Sequence, residues 1–511
     1  MNNRILLNVT LIAAASAGFA LAQLGGAPAT GGGNSVAAQL PLSGRTGSSG
    51  SVTATQSPVP GTNQSVNTLN LNISVQGSYA GSTSSTAAMP FSGKLSLHDA
   101  IQRGLAANLS AVGLAASLRQ AQGQAIVARS ALMPNISGGL RENVLEQDLQ
   151  VLGLNFPGVP KVVGPLAYFD LRATLTQSIA DMTALNNVRA ARENITAQKQ
   201  SIQNARDVIV LAVGGAYLQT IAAKARLAAE KAQIETSQAL LKQTQQSRES
   251  GVATQIEVNR NEVQLATQQQ RLATLQNDLS RQKINLARLT GLPPNDNFDI
   301  TDDVPYSPAP ALPVDDAVKQ SMDARADLKA AQTQVHAAEL AKTAAKDERL
   351  PSIAISGDYG TIGPRFNEGR STFTFAANLK VPIWQGGRAA GDIEQANAAL
   401  DQRRAELQDL RGQIESDIRN SYLDLQAAES QVQLAKSNQQ LARDTLRLTR
   451  EKFDLGVSTT LEVSQAEADV ASADLDYITS LFAHNLAKLS IAREIGNADQ
   501  RLDTYLHPVA Q

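Results

Sequence analysis

Between residues 184 and 249 the apolar positions return every three or four residues. Val188, Ala191, Ile195, Gln198, Ile202, Ala205, Ile209, Ala212 and Ala216 fall on one line. A 3-4 spacing held over nine positions is the seam of a coiled coil, which a plain surface helix rarely sustains. The line returns 205 residues later as Ile393, Ala396, Leu400, Arg403, Leu407, Leu410 and Ile414, and even the polar interruptions Gln198 and Arg403 coincide. The pattern predicts two very long helices, 184–249 and 389–454, each of about 66 residues or ~100 Å. Helices predicted at 98–132 and 254–290 are near half that length, so two of them end to end match one long helix. Such a rod is too narrow to be a globule.

A second period marks other stretches. Phe373, Phe375, Ala377, Leu379, Val381 and Ile383 alternate with Thr372, Thr374, Ala376, Asn378 and Lys380. Upstream, Phe169, Leu171, Ala173, Leu175 and Ile179 alternate with Asp170, Arg172, Thr174, Thr176 and Ser178. Partner strands start at Ile136 and Ile353. Strands of about ten residues with one apolar and one polar face suit a membrane β-barrel around a watery lumen. A soluble, half-buried hairpin shows the same alternation. Four strands cannot close a barrel, since the smallest have about eight, so closure would take several chains.

Both patterns belong to one internal duplication. Residues 95–136 align without gaps to 312–353, an offset of 217, with Leu95 on Leu312, Asp99 on Asp316 and Pro134 on Pro351. Beyond residue 184 the offset is 205: Tyr217 meets Tyr422, Gly251 meets Gly456 and Gly291 meets Gly496. The expected organisation is a first repeat over 93–292, a Pro- and Asp-rich linker over 293–313, a second repeat over 314–497 and a tail over 498–511. Ahead of them, Arg4, an apolar run from Ile5 to Ala20 and Ala20-Leu21-Ala22 read as a secretory signal over 1–22. Residues 23–92 are rich in Gly, Ser, Thr and Asn, and bury too little to offset their ordering entropy. Within them only 69–75 alternates like a strand.

Composition narrows the chemistry. Aromatic residues make up 4% of the 511, with one Trp, which argues against a large globular core. The 45 basic and 47 acidic residues leave a charge of −2, so no basic field speaks for nucleic acid. With no Cys there is no thiolate, disulfide or Cys-ligated metal. His98, His336, His484 and His507 lie far apart, and no phosphate-binding glycine motif is present. Neither a catalytic constellation nor a cofactor or metal site is expected.

Each long helix ends in a matching turn. Gly251-Val252-Ala253-Thr254-Gln255-Ile256-Glu257 pairs with Gly456-Val457-Ser458-Thr459-Thr460-Leu461-Glu462. Gly permits a left-handed cap at a helix C-terminus. Thr254 with Glu257, and Thr459 with Glu462, have the spacing of capping boxes. Capping alone accounts for the matching pattern.

The signal, the duplicated helix–hairpin–helix unit and Val381-Pro382-Ile383-Trp384-Gln385-Gly386-Gly387 leaving the last strand together resemble the TolC-like outer-membrane efflux protein family (outer membrane factors). The resemblance covers about residues 95–497. It implies a mainly α chain with four strands, three copies of which form a twelve-stranded transmembrane barrel continued by a long coiled-coil α-barrel. It further implies a passive exit duct in the outer membrane, reaching into the periplasm, for a tripartite efflux or type I secretion system. The implied partners are two further copies, outer-membrane lipid, a periplasmic membrane-fusion adaptor and an inner-membrane transporter. Gly251, Val252, Thr254, Gly456, Val457 and Thr459 would form adaptor-docking tip turns, and Glu257 and Glu462 a channel constriction. Pro382, Gly386 and Gly387 mark the strand–helix junction; the first repeat departs there, with Ser178-Ile179-Ala180-Asp181-Met182 and no Gly pair. Gln465 stands where the family carries a further acid, Phe453 where it carries a gate tyrosine, and Ser458 where a gate arginine occurs.

The competing reading is a periplasmic coiled-coil adaptor or scaffold without a pore. Two amphipathic strand pairs, for which an adaptor has no use, separate the two.

Overall fold

The computed structural model describes residues 49–58, 65–74, 79, 81–83, 93–148, 160–294, 298–310, 312–496 and 498–499, the first two stretches by backbone alone. The expected signal 1–22 and most of the tail lie outside the described residues. The chain begins with β1 (Ser49–Pro58), β2 (Ser65–Ser74) and β3 (Lys94–Leu95). The first repeat follows with α1 (Leu97–Ala107), α2 (Leu109–Ser130), β4 (Asn135–Asp148), β5 (Val162–Ala180), α3 (Met182–Glu249) and α4 (Gln255–Thr290). After β6 (Asp299–Ile300) come α5 (Val314–Ala324), α6 (Ala326–Asp347), β7 (Ser352–Gly363), β8 (Arg370–Lys380), α7 (Arg388–Asp454) and α8 (Thr460–Ile495).

Two expectations are corrected. The helix expected over 98–132 is two helices that break at Asn108, and its counterpart breaks 217 residues later at Arg325. Apolar periodicity runs through both breaks, so only the contacts reveal them. Asn108 has ψ 133°; its Oδ1 accepts from the Ser110 N–H at 2.9 Å and its Nδ2 donates to the Tyr79 carbonyl at 2.8 Å. Residues 81 and 83 satisfy the freed helix ends: the Leu109 N–H donates to Gly81 O at 3.0 Å and the Thr83 N–H to Ala107 O at 2.8 Å. Such local side-chain bonds offer the backbone an alternative to the helix ladder. The second correction concerns 23–92, where one strand was expected over 69–75. There β1 and β2 pair antiparallel over ten residues each, and β2 runs beside α8 and α3. Ladder bonds satisfy that backbone in a sequence with little apolar content.

The hairpins form one antiparallel sheet in the order β4-β5-β7-β8. The first hairpin is longer, with strands of 14 and 19 residues against 12 and 11, which places the twelve-residue difference between the repeats here. Its two faces are those the alternation predicts. Ser137 and Thr174 hydroxyls meet at 2.6 Å on the polar face, and Asn378 donates to Ser356 at 3.2 Å. Phe373, Phe375, Leu379, Ile136, Leu140 and Val144 are exposed on the other. Among the described residues, β4 and β8 each leave one edge unpaired.

The two long helices have different environments despite their common pattern. α3 packs against α2, α4, α6 and α8, whereas α7 packs mainly against α5, α6 and α8. Every residue from Asp207 to Leu218 is buried. An 18-residue window of α3 is long and apolar enough to cross a membrane, but 78% of it is buried, so it serves as core. The seam residues follow: Val188, Gln198, Ala205, Ile209, Ala212 and Ala216 are buried in α3, and Leu400 and Ile414 in α7.

The linker laces the repeats together. Lys283 and its repeat equivalent Lys488 both hold linker carbonyls, Phe298 O at 2.6 Å and Ser307 O at 3.0 Å. The Tyr217 hydroxyl contacts Asp302 Oδ2 at 3.2 Å, and Asn485 donates to Val304 O at 3.3 Å. Beneath the linker, His484 is wholly buried with the Tyr306 ring 5.1 Å away, and neither ring nitrogen has a hydrogen-bond partner. Burial lowers its pKa to about 4, the Lys488 charge adding to the effect. An unfolded imidazole takes up its proton near 6.5, so between 6.5 and about 4 the unfolded chain binds more protons and stability is lost as the pH is lowered. The loss should reach about 3 kcal/mol per chain. His484→Phe should flatten the unfolding midpoint across that window, and an unchanged pH slope would contradict this assignment.

Candidate functional site

The two turns at the far end of the long helices are built alike. The Gly251 N–H donates to Arg248 O and the Val252 N–H to Ser247 O, both at 2.9 Å; Gly456 and Val457 repeat this on Phe453 O and Lys452 O at 2.9 Å. This is the Schellman arrangement, and the glycines have φ of 78° and 73°, where a side chain would be strained. It leaves Val252 and Val457 at the extremity, 82% and 77% exposed.

The next helices start differently. Thr254 and Glu257 form a complete capping box: the Thr254 N–H donates to Glu257 Oε2 at 2.7 Å and the Glu257 N–H to Thr254 Oγ1 at 3.3 Å. In the second turn only half the box is present. The Glu462 N–H donates to Thr459 Oγ1 at 3.4 Å, but its carboxylate takes the Ser458 hydroxyl at 2.5 Å instead. Ser458 has Ala253 as its repeat equivalent, so the first turn has no competing hydroxyl.

One bond joins the turns. Thr460 donates to Glu257 Oε1 at 2.9 Å, so Glu257 caps its own helix through one oxygen and holds α8 through the other. The Thr254 N–H, then the Thr460 hydroxyl, hold its carboxyl below the usual range. Sequence reasoning missed Thr460. Its repeat equivalent is Gln255, so the duplication carries no signal for it.

The junction residues lie at the opposite end of α7. Gly386 and Gly387 adopt φ of 60° and 88°, and Gly387 is the α7 N-cap. Gln385 donates to Glu348 O at 3.2 Å, tying the junction to the end of α6. The first repeat reaches the same end with Asp181, whose side chain accepts from the Ala184 N–H at 2.8 Å. Pro382 precedes the exposed pair Ile383 and Trp384, 95% and 88% accessible. The structure therefore gathers the predicted residues at two separate places, tip and junction.

Both repeats have counterparts among known proteins. The pattern described as "Outer membrane efflux protein" matches residues 100–292 and 317–496. The pyoverdine export outer membrane protein OpmQ of Pseudomonas putida is 25% identical over 305 residues, which are 56% of this chain and 62% of OpmQ. The chain thus spans less than two thirds of that relative's length. Solved folds agree: the outer membrane protein VceC of Vibrio cholerae superimposes with a TM-score of 0.67 at 19% identity, covering 78% of this chain and 96% of VceC. The CmeC outer membrane channel of Campylobacter jejuni gives 0.68 at 14% identity over 81% and 90%. A duplication with matching caps, one four-stranded sheet and a family match over both halves thus lead to one assignment: the chain belongs to the outer membrane efflux protein family.

Proposed function

We propose that the chain is one third of an outer-membrane duct, a passive exit for solutes delivered by a periplasmic adaptor and an inner-membrane transporter. The observation that carries this reading is the pair of unmatched flanks. Among the described residues β4 and β8 are free sheet edges, and along α7 and its C-cap Leu434, Leu441, Leu448 and Leu455 are exposed at seven-residue spacing. On the opposite flank α4 exposes Ile256 and Val263, also seven apart. A seven-residue apolar stripe seeks another helix. Two different faces on one chain make a head-to-tail contact, which closes into a ring when the rotation allows. Three copies of a four-stranded sheet supply twelve strands, enough for a membrane barrel.

The barrel would sit in the outer membrane with its apolar face to lipid, and Ile383 and Trp384 at the periplasmic boundary, where aromatic side chains favour the interface. The tip turns would meet the adaptor. Mass measurement tests the reading: protein extracted by detergent from the outer-membrane fraction should have three times the chain mass and conduct in planar bilayers. A water-soluble monomer would reject it.

At the tip, Glu257 and Glu462 from three copies would set six carboxylates around the narrow end, favouring cations. Gln can accept from the Thr254 N–H and donate to the Thr460 hydroxyl, so Glu257→Gln with Glu462→Gln should assemble normally. Its reversal potential in a salt gradient should move towards zero. Unchanged selectivity would leave capping and the cross-turn bond as the whole role of these acids.

A further inference from the structure

A cleft of about 550 Å³ opens where the start of α5 lies over α7, lined by Val314, Tyr422, Leu423, Gln426 and Glu429 among others. The same place in the first repeat is filled. The repeat equivalents of Val314, Tyr422 and Glu429 are Leu97, Tyr217 and Lys224, and all three hold one linker segment. There β6 pairs in parallel with β3, Asp299 beside Lys94 and Ile300 beside Leu95. Asp302 Oδ2 accepts from the Leu97 N–H at 2.5 Å and contacts the Tyr217 hydroxyl at 3.2 Å. Lys224 donates to Asp299 Oδ1 and to Ile300 O, both at 3.1 Å. Burial differs accordingly: Leu218 is 3% exposed, whereas its equivalent Leu423 in the cleft is 64% exposed.

The duplication indicates which segment belongs there. Thr290 and Ile495, which end α4 and α8, are repeat equivalents. Gly291 and Gly496 follow with φ of 72° and 82°, each set against the end of its repeat's first short helix, at Ala107 and Ala324. Asp299 to Asp302 come after the first glycine, and at the same offset of 205 Thr504 to His507 come after the second. The linker is not available for this place, because Ser307 is held by Lys488 and Pro313 is already the N-cap of α5. Beyond the glycines the two paths part, with ψ of 15° and 147°, and Asp499 meets Arg206 of α3 at 3.3 Å. The twelve residues after Asp499 can span about 40 Å. Charge changes sign on both sides together. Lys224 faces a segment carrying Asp299, Asp302 and Asp303, while Glu429 would face one carrying Arg501 and His507 with the single acid Asp503.

We propose that this cleft is the seat of the chain's own C-terminal tail. Residues 504–507 lie along 310–312 and across Tyr422, as 299–302 lie along 93–95 and across Tyr217. Tyr505 then takes the place of Ile300, which is 3% exposed, and covers Leu423. The seated tail fastens the start of α5 to α7, doing for the second repeat what the linker does for the first. Every residue involved belongs to one chain, so the inference stands apart from barrel closure.

The chain has no Cys, so only introduced thiols react. In the detergent-extracted full-length protein, Gln426→Cys with Tyr505→Cys should be joined by a short bismaleimide within one chain, read as a single-chain mass carrying one bridge and no free thiol. A bridge between two chains would mean that a neighbouring copy's tail fills the cleft, and overturns the proposal. Two thiols that react separately overturn it as well. Gln426→Cys alone should take up a maleimide at least ten times faster once Tyr505→Asp and Leu506→Asp are added, because a charge without a partner resists burial. Equal rates would show that the tail does not cover this place. Should the Asp variant fail to assemble, the bridge in the two-cysteine chain decides the matter.

Discussion

Phe375→Arg, and likewise Leu379→Arg, should remove the assembled protein from the outer membrane. Both residues point to the exposed apolar face of β8. An arginine facing lipid costs roughly 2–4 kcal/mol near the bilayer midplane, and a three-chain barrel repeats it three times. Thr374→Arg is the control, because Thr374 lies on the other face, opposite Asp358 in the register. An arginine there meets water and a nearby carboxylate. The trimer band from outer-membrane fractions should fall more than tenfold for the first two variants and stay near wild type for the third. Equal tolerance would mean that the faces are reversed or that the hairpins do not meet lipid.

Arg325→Ala should cost about 3–5 kcal/mol, the range for leaving buried partners of an ion pair uncompensated. Arg325 is 5% exposed at the α5–α6 break. It grips Asp327 with two bonds, 3.1 and 2.6 Å, and pairs with Glu494 of α8, which also accepts from Arg493 at 2.5 Å. Burial pushes the Asp327 and Glu494 carboxyls up, but the two guanidiniums outweigh it and hold both below the ordinary range. Their contribution is therefore present above the unfolded carboxylate pKa and lost as pH falls through the folded values. Removing Arg325 leaves these acids with Arg493 alone. The denaturation midpoint should drop sharply, while Asp315→Ala, which breaks the exposed pair with Arg419, should change stability by less than about 1 kcal/mol. A small effect of Arg325→Ala would show that Arg493 alone satisfies the cluster.

Arg325 also shows where the duplication stops being informative. Its repeat equivalent is Asn108, and both sit at the same helix break, yet one break is held by Tyr79, Gly81 and Thr83 and the other by acids from α6 and α8. Periodicity predicts an unbroken helix through both. The tip behaves alike: the glycines of the two turns adopt the same C-terminal caps and both threonines accept from the N–H three residues on, because a cap needs only neighbours within five residues. The Glu257–Thr460 bond spans 203 residues and joins positions whose repeat equivalents do nothing comparable.

The sequence by itself determined the duplication, the lengths of the long helices, the inward seam, the two strand faces and the turn geometry. Each of these rests on a short period or on contacts between near neighbours, and period and neighbours are written along the chain. Tertiary structure alone decided that α3 lies inside the layer while α7 lies at its flank, that the short helices break, and that Arg172 binds two aspartates. Nearly identical local patterns cannot encode which copy is covered on both sides. That depends on which other segments reach each helix, and contacts such as that of Arg226 in α3 with Thr479 in α8 link residues 253 positions apart, where no local preference reaches.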